Sequence, residues 1–179
     1  MEDLAMHVLE LLMNSLEHNA SRIEIFIYSS EAKNRIYFKI SDDGDGMALD
    51  MSVKAVDSFV TTRTTRKVGM GLAFMKSLCD YTNGSYHIKS KLNEGTSISF
   101  DVQKDHIDLP PLGDMGEMVM FAFVKKPDIS LRFEYKTDDD SFNFDTIKLN
   151  EEIEDLSYDN PEVQLWIKKY INEGIDSIK

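Results

Sequence analysis

The stretch Glu10-Leu11-Leu12-Met13-Asn14-Ser15-Leu16-Glu17-His18-Asn19-Ala20 lies in a segment, 3–19, with the apolar density of a buried helix. Leu4, Val8, Leu9, Leu11, Leu12, Met13 and Leu16 leave it little open face. Glu10, Asn14 and His18 interrupt the pattern at a spacing of four, which stacks them in one column on a helix. A carboxylate and an amide in such a helix are costly to bury unless something polar faces them. A metal-bound anionic ligand would face them, and a solvated stripe on an amphipathic surface helix would explain the column as well. The helix alone leaves both readings open.

The chain has 179 residues, room for one domain of ordinary size or one with a smaller appendage. With 20 Lys and Arg against 32 Asp and Glu, its net charge of −12 argues against non-specific nucleic-acid binding, which needs clustered cations. One basic island stands out: Arg63, Arg66 and Lys67 among Thr61, Thr62, Thr64 and Thr65. It suits a local anionic ligand better than a long polyanion. The single cysteine, Cys79, excludes an internal disulfide framework and a cysteine-based metal site within one chain. No apolar run approaches the ~20 residues of a membrane span, and the N-terminus lacks the layout of a secretion signal. The expectation is a soluble cytoplasmic protein with neither membrane nor nucleic acid as partner.

Alternating Ile23, Ile25 and Ile27, then the segment 34–41, predict an antiparallel hairpin. It runs into Asp42-Asp43-Gly44-Asp45-Gly46-Met47. Two glycines so close after a strand mark unusual backbone angles or a close approach of chains. A calcium loop is disfavoured, because the required Glu is missing (position 50 is Asp, 52 is Ser) and a strand precedes. A short helix is expected over 50–59. A polar loop then delivers Gly69-Met70-Gly71-Leu72 onto a helix that runs through Phe74, Met75, Leu78 and Cys79 to Asn83-Gly84. Free N–H groups and the positive helix end make an anion site there, although neither the Walker nor the dinucleotide glycine pattern is present. Two more strands follow, over 85–90 and 96–102, the second opened by Thr96 beside Gly95.

In order, Glu10-x-x-x-Asn14, Asp42-x-Gly44-x-Gly46-Met47, Phe59-x-Thr61-Thr62, Gly69-x-Gly71-Leu72 and Gly95-Thr96 resemble the GHKL superfamily. This is the ATP-binding fold of gyrase B, MutL, a major heat-shock chaperone, histidine kinases and anti-sigma-factor serine kinases. The resemblance covers residues 1 to about 103. It implies a Bergerat-type fold, an α/β two-layer sandwich of three helices on a mixed, mostly antiparallel sheet, with ATP and Mg2+ as cofactors. It implies that Asn14 binds the magnesium ion and that Glu10 polarises the attacking water or hydroxyl. Asp42 would accept from the adenine amino group, with Gly44 and Gly46 letting the backbone approach the ring, Met47 packing on it and Thr96 supporting the site. Residues 61–72 would form a lid, with Thr62, Arg63, Arg66, Lys67, Gly69, Met70, Gly71 and Leu72 around the phosphates. His18 and Ala20 would line the nucleotide. The dimerising hairpin with a phospho-accepting His that precedes this domain in membrane histidine kinases is not expected here. Glu10 at the base position is what serine-kinase and ATPase members show.

After residue 103, Pro110-Pro111 makes a stiff linker. Residues 104–179 then predict a helix over 115–125, a hairpin of 129–135 and 142–147, and a last helix opened by Asn160-Pro161. At ~70 residues this unit is marginal alone and is expected to pack on the core or extend its sheet. The functional expectation is an ATP-dependent protein kinase or ATPase. The alternative is a non-catalytic ATP/ADP-sensing module that acts through a protein partner. The C-terminal unit is the expected partner or substrate surface, and a homodimer stays open.

Overall fold

The computed structural model describes residues 3–47, 70–153 and 156–179. Helix α1 (Leu4–Glu17) begins where the Asp3 carboxylate accepts from the Met6 amide at 2.8 Å. The next free amides are also satisfied: Leu4 and Ala5 donate to the carbonyls of Pro111 and Leu112, both at 2.9 Å. The Pro-Pro linker therefore closes the N-terminus of α1, where orphan donors would otherwise face solvent. The helix stops two residues before the expected end, with Asn19 in the left-handed region at φ 62°, a conformation asparagine tolerates better than most residues.

Strands β1 (Arg22–Ser30) and β2 (Arg35–Asp42) form the expected hairpin, with Ile25 opposite Ile40 and Ile27 opposite Phe38. Helix α2 (Met70–Tyr81) follows, then β3 (Ser85–Lys91) and β4 (Gly95–Gln103), which pairs with both β2 and β3. Helix α3 (Met115–Lys125) leads to β5 (Ser130–Lys136), which joins the other side of β1 in parallel, and β6 (Ser141–Asp145) closes that edge. The resulting six-stranded sheet runs β3-β4-β2-β1-β5-β6, mixed and mostly antiparallel. Short α4 (Thr146–Glu152) and long α5 (Pro161–Ser177) complete the chain.

Register decides the two faces. Ile23, Ile25, Ile27, Phe38, Ile40, Ile98, Phe100, Leu131 and Phe133 point to one side and are buried beneath α1, α2 and α3. Phe38 stacks on Phe100 at 4.7 Å across β2 and β4. Helix α5 buries Ile167, Ile171 and Ile175 and lies close on α3, since a Cβ on Gly116 would stand 2.1 Å from the Lys168 carbonyl oxygen. Asp114, the N-cap of α3, ties the pair: it accepts from Asn172 at 2.7 Å and bridges Lys168 at 3.0 Å.

The last strand was expected to continue to Ile147, and it does not. Asp145 accepts from the Ile147 amide at 2.9 Å and starts α4 there, a side-chain cap that outweighs the β-branched pair Thr146-Ile147. Cys79 is buried as expected, and its thiol is pushed up to about 12 by burial, with Asp101 and Asp80 adding to the effect. It is an inert packing group. The expected helix over 50–59 falls outside the described residues.

Candidate functional site

The site forms where the C-terminal half of α1 meets the ends of β2 and β4 and the start of α2. Asp42 is the last residue of β2 and sits on the helix-covered side, opposite Ile23 of β1 and Thr96 of β4. Its Oδ1 accepts from the Gly44 and Thr96 amides at 3.0 and 3.2 Å, and its Oδ2 from the Ser15 hydroxyl at 2.7 Å. Ser15 is buried on α1 immediately after Asn14, so the same helix that carries the polar column fixes the Asp42 carboxylate. An ionised carboxylate has about four acceptor positions. Three are taken here, and the open one is on Oδ2.

A hydroxyl pair supports the same corner. Ser90 Oγ and Thr96 Oγ1 lie 2.8 Å apart, and Ser90 Oγ accepts from the Met47 amide at 2.7 Å. The loop between β2 and Met47 needs its glycines for close approach. A Cβ on Gly44 would stand 2.5 Å from the His18 carbonyl oxygen, and one on Gly46, at φ +63°, would stand 2.0 Å from that of Lys91. The Asp45 amide donates to the His18 carbonyl at 2.8 Å, and Asn19 Nδ2 to the Asp45 carboxylate at 2.9 Å. Asp43 turns away. Burial pushes its carboxyl up, but hydrogen bonds from the Ser21 hydroxyl and the Arg22 and Ser21 amides outweigh this and hold it below the usual carboxylate range.

The column on α1 meets the second half of the site at Gly71. This glycine is buried in the first turn of α2, and a Cβ there would stand 3.2 Å from Glu10 Cβ and 3.3 Å from Asn14 Nδ2. Asn14 is half-buried below the start of α2, while Glu10 and His18 are exposed. Neither the Glu10 nor the Asn14 side chain has a partner among the described residues, so their oxygens are available. Leu72 is buried in the core. The structure thus brings Glu10, Asn14, Gly71, Asp42, Gly44, Gly46, Met47 and Thr96 around one corner of the fold. Thr62, Arg63, Arg66, Lys67 and Gly69, together with the Met70 side chain, lie outside the described residues.

Sequence reasoning passed over Ser15, Ser90 and Lys126. Ser15 had a signal: a hydroxyl among Leu11, Leu12 and Leu16, next to Asn14. Lys126 had none. Its ammonium donates to the Ala20 carbonyl at 2.8 Å, a contact between positions 106 apart in sequence.

No group of three or more His, Cys, Asp or Glu gathers as a metal site among the described residues. A magnesium ion fits the donors present, because it takes few protein ligands and completes its shell with phosphate and water. The unspent amide oxygen of Asn14 would suit such an ion.

A mixed sheet covered on one face by helices, with an acidic glycine loop and a helix N-terminus converging on one polar column, defines an α/β sandwich built around a polar corner. Residues 2–106 match the family described as histidine kinase-, DNA gyrase B- and HSP90-like ATPase, and the chain belongs to that family. Its relatives include the sensor histidine kinase YvrG of Bacillus subtilis, 33% identical over 98 residues, which cover 52% of this chain and 17% of that protein. The sensor protein KdpD of Clostridium acetobutylicum is 30% identical over 105 residues, 55% of this chain and 11% of that protein. The chain therefore spans less than a fifth of these relatives. Among solved structures, the Aquifex aeolicus MutL ATPase domain complexed with ADP shares the fold at TM-score 0.53 and 13% identity, over 95% of this chain and 70% of that one. The N-terminal domain of a DNA repair protein does so at TM-score 0.55 and 18% identity, over 80% and 52%. The likeness in fold thus extends past residue 106 into the C-terminal elements. No described helix is long and apolar enough to cross a membrane.

Proposed function

We propose that the chain binds ATP at this corner and transfers its γ-phosphate to a protein side chain or to water, with residues 1–103 as the ATP-binding domain. The observation that carries the reading is the Asp42 carboxylate, held by Ser15, Gly44 and Thr96 with one acceptor position left on Oδ2. An ionised carboxylate can only accept, so it takes the exocyclic amino group of adenine and rejects the carbonyl that guanine has instead. A flat ring would lie beside the Gly44–Gly46 loop, with Met47 against the ring and the Ser90–Thr96 hydroxyl pair behind. The purine end fixes the register, so the phosphates run toward Glu10, Asn14 and the start of α2.

There Gly71 brings the helix end against the column without a side chain in between, and the helix dipole favours the phosphate charge. Asn14 would hold magnesium, which when bound would neutralise phosphate charge. Glu10, exposed beside it, accepts a proton from the attacking water or hydroxyl and aligns it. His18 borders the nucleotide at the far end of the column. Purified protein with Mg-ATP should release ADP, and Glu10→Ala should abolish the release while leaving nucleotide binding in place. Turnover that survives Glu10→Ala removes that residue from the base role.

A second reading, a nucleotide sensor acting through a protein partner of residues 104–179, is favoured by one contact. The Pro111 and Leu112 carbonyls bond the first turn of α1, so the C-terminal unit is tied directly to the helix that carries Glu10 and Asn14. Binding without turnover in both proteins would select it.

A further inference from the structure

The face of the sheet away from the helices is not accounted for by the nucleotide corner. Register places Arg22, Lys39, Lys89 and Lys136 on it, all exposed and none with a carboxylate partner among the described residues. Of the carboxylates on the same face, Asp101 is bound by Arg35 at 3.2 Å, Glu134 by Arg132 at 3.6 Å, and Asp145 caps α4. Among the described residues, Glu24 and Asp145 have no cation partner on that face. Four cations without a carboxylate against two carboxylates without a cation is the reverse of a chain with 32 acidic and 20 basic residues. One of the four, Lys39, also borders a hollow in this face. A groove of about 350 Å³ crosses β2, β1 and β5, floored by Phe26 and Tyr37, whose rings meet edge to face at 6.2 Å. Lys39 stands on one wall and Arg132 on the other.

We propose that this open sheet face docks an acidic polypeptide segment of a partner protein, on the side of the sheet opposite Asp42. Lys39 and Lys89 flank β4, where Ser97 and Ser99 lie on the same face, so carboxylates along an extended segment meet ammonium groups and hydroxyls together. The aromatic floor takes an apolar side chain between them. Two other polyanions fit worse. Glu24 and Glu134 line the groove itself and oppose the closely spaced phosphates of a nucleic acid, which the overall charge of −12 repels further. A flat anionic lipid surface would leave the groove and its aromatic floor unused.

The test uses a fluorescein-labelled peptide (Glu-Glu-Tyr)4 and follows its anisotropy with the whole chain. Saturable binding is expected, weakened at high salt and weakened about tenfold by Lys39→Glu with Lys89→Glu, given the modest worth of exposed charge pairs and their reversal. Lys125→Glu with Lys148→Glu, exposed residues elsewhere on the chain, changes the net charge equally and should leave affinity within about twofold. Absence of saturable binding overturns the proposal. So does an equal loss in both double variants, or tighter binding of a dT12 oligonucleotide or of phosphatidylserine vesicles than of the peptide. ATP affinity should be the same in wild type and in Lys39→Glu with Lys89→Glu, which keeps this outcome separate from that of the nucleotide reading.

Discussion

Ser15→Ala isolates the contact on which the purine end of the site depends. The Ser15 hydroxyl is buried and lies 2.7 Å from Asp42 Oδ2. Its other neighbour, the Leu11 carbonyl, is at 3.4 Å, so the single hydroxyl proton goes to the carboxylate. Removing a hydrogen bond to a charged group costs about 1.5–3 kcal/mol, and a site this enclosed gives water little room to replace it. For a chain of this size each kcal/mol moves Tm by roughly 2–4 °C, so Ser15→Ala should lower Tm by roughly 3–12 °C. Nucleotide affinity should fall as well. Once Oδ2 loses its fixed donor, the carboxylate rotates, and a loss of about 1.4 kcal/mol in orientation is about tenfold in Kd. Thermal unfolding with and without ADP reads both quantities, and Ser15→Thr, which keeps a hydroxyl, should recover most of each. If Ser15→Ala melts within about 1 °C of wild type and binds ADP equally, Ser15 does not hold Asp42 and the derivation of the purine site fails.

Gly95→Ala should be more damaging than its size suggests, because φ is +92° and the new Cβ would stand 2.0 Å from the Asp42 carbonyl oxygen; chemical denaturation should show a loss of several kcal/mol, on the order of other forced backbone shifts. His7 is buried, its Nδ1 has no partner among the described residues, and burial is the main cause that lowers its pKa to about 4. The native state is then neutral at His7 where the unfolded chain, near 6.5, takes up a proton. Stability should be intact above pH 6.5 and fall as pH drops from 6.5 toward 4, by up to about 3 kcal/mol; His7→Leu should flatten denaturation midpoints across that window. Asp138 behaves in the next window down. The Ser30 hydroxyl, the Ala32 amide and the Tyr28 hydroxyl hold its carboxyl at about 2, so its contribution should persist above about pH 4 and disappear as pH falls through 2. Asp138→Asn should remove that acid limb of the profile.

Much of the fold was written in local patterns. Ile23, Ile25 and Ile27 alternate because one face of β1 is buried, and the run from Leu4 to Leu16 is helical because α1 is covered on most of its surface. The order of short motifs then sufficed to place Asp42, Gly44 and Gly46 after a strand and Gly71 on a helix start. What stayed hidden was non-local. Nothing in 130–136 announces that it pairs in parallel with β1, a partner about a hundred residues away, and without that register the cations of the open face cannot be gathered. Ser15 was overlooked because a lone serine in an apolar helix reads as ordinary until its acceptor on β2 is known. The strand end at Asp145 was missed because a side-chain cap competes with β-propensity on nearly equal terms.

Calorimetric titration of ATP and GTP, in parallel, into wild type and Asp42→Asn tests the account most directly. Wild type should bind ATP saturably and GTP at least about tenfold more weakly, since the guanine carbonyl meets a carboxylate that can only accept. Asp42→Asn should weaken ATP by a similar factor and narrow the gap between the two nucleotides. Equal affinity for ATP and GTP in wild type, or unchanged ATP affinity in Asp42→Asn, would contradict the assignment of Asp42 to adenine.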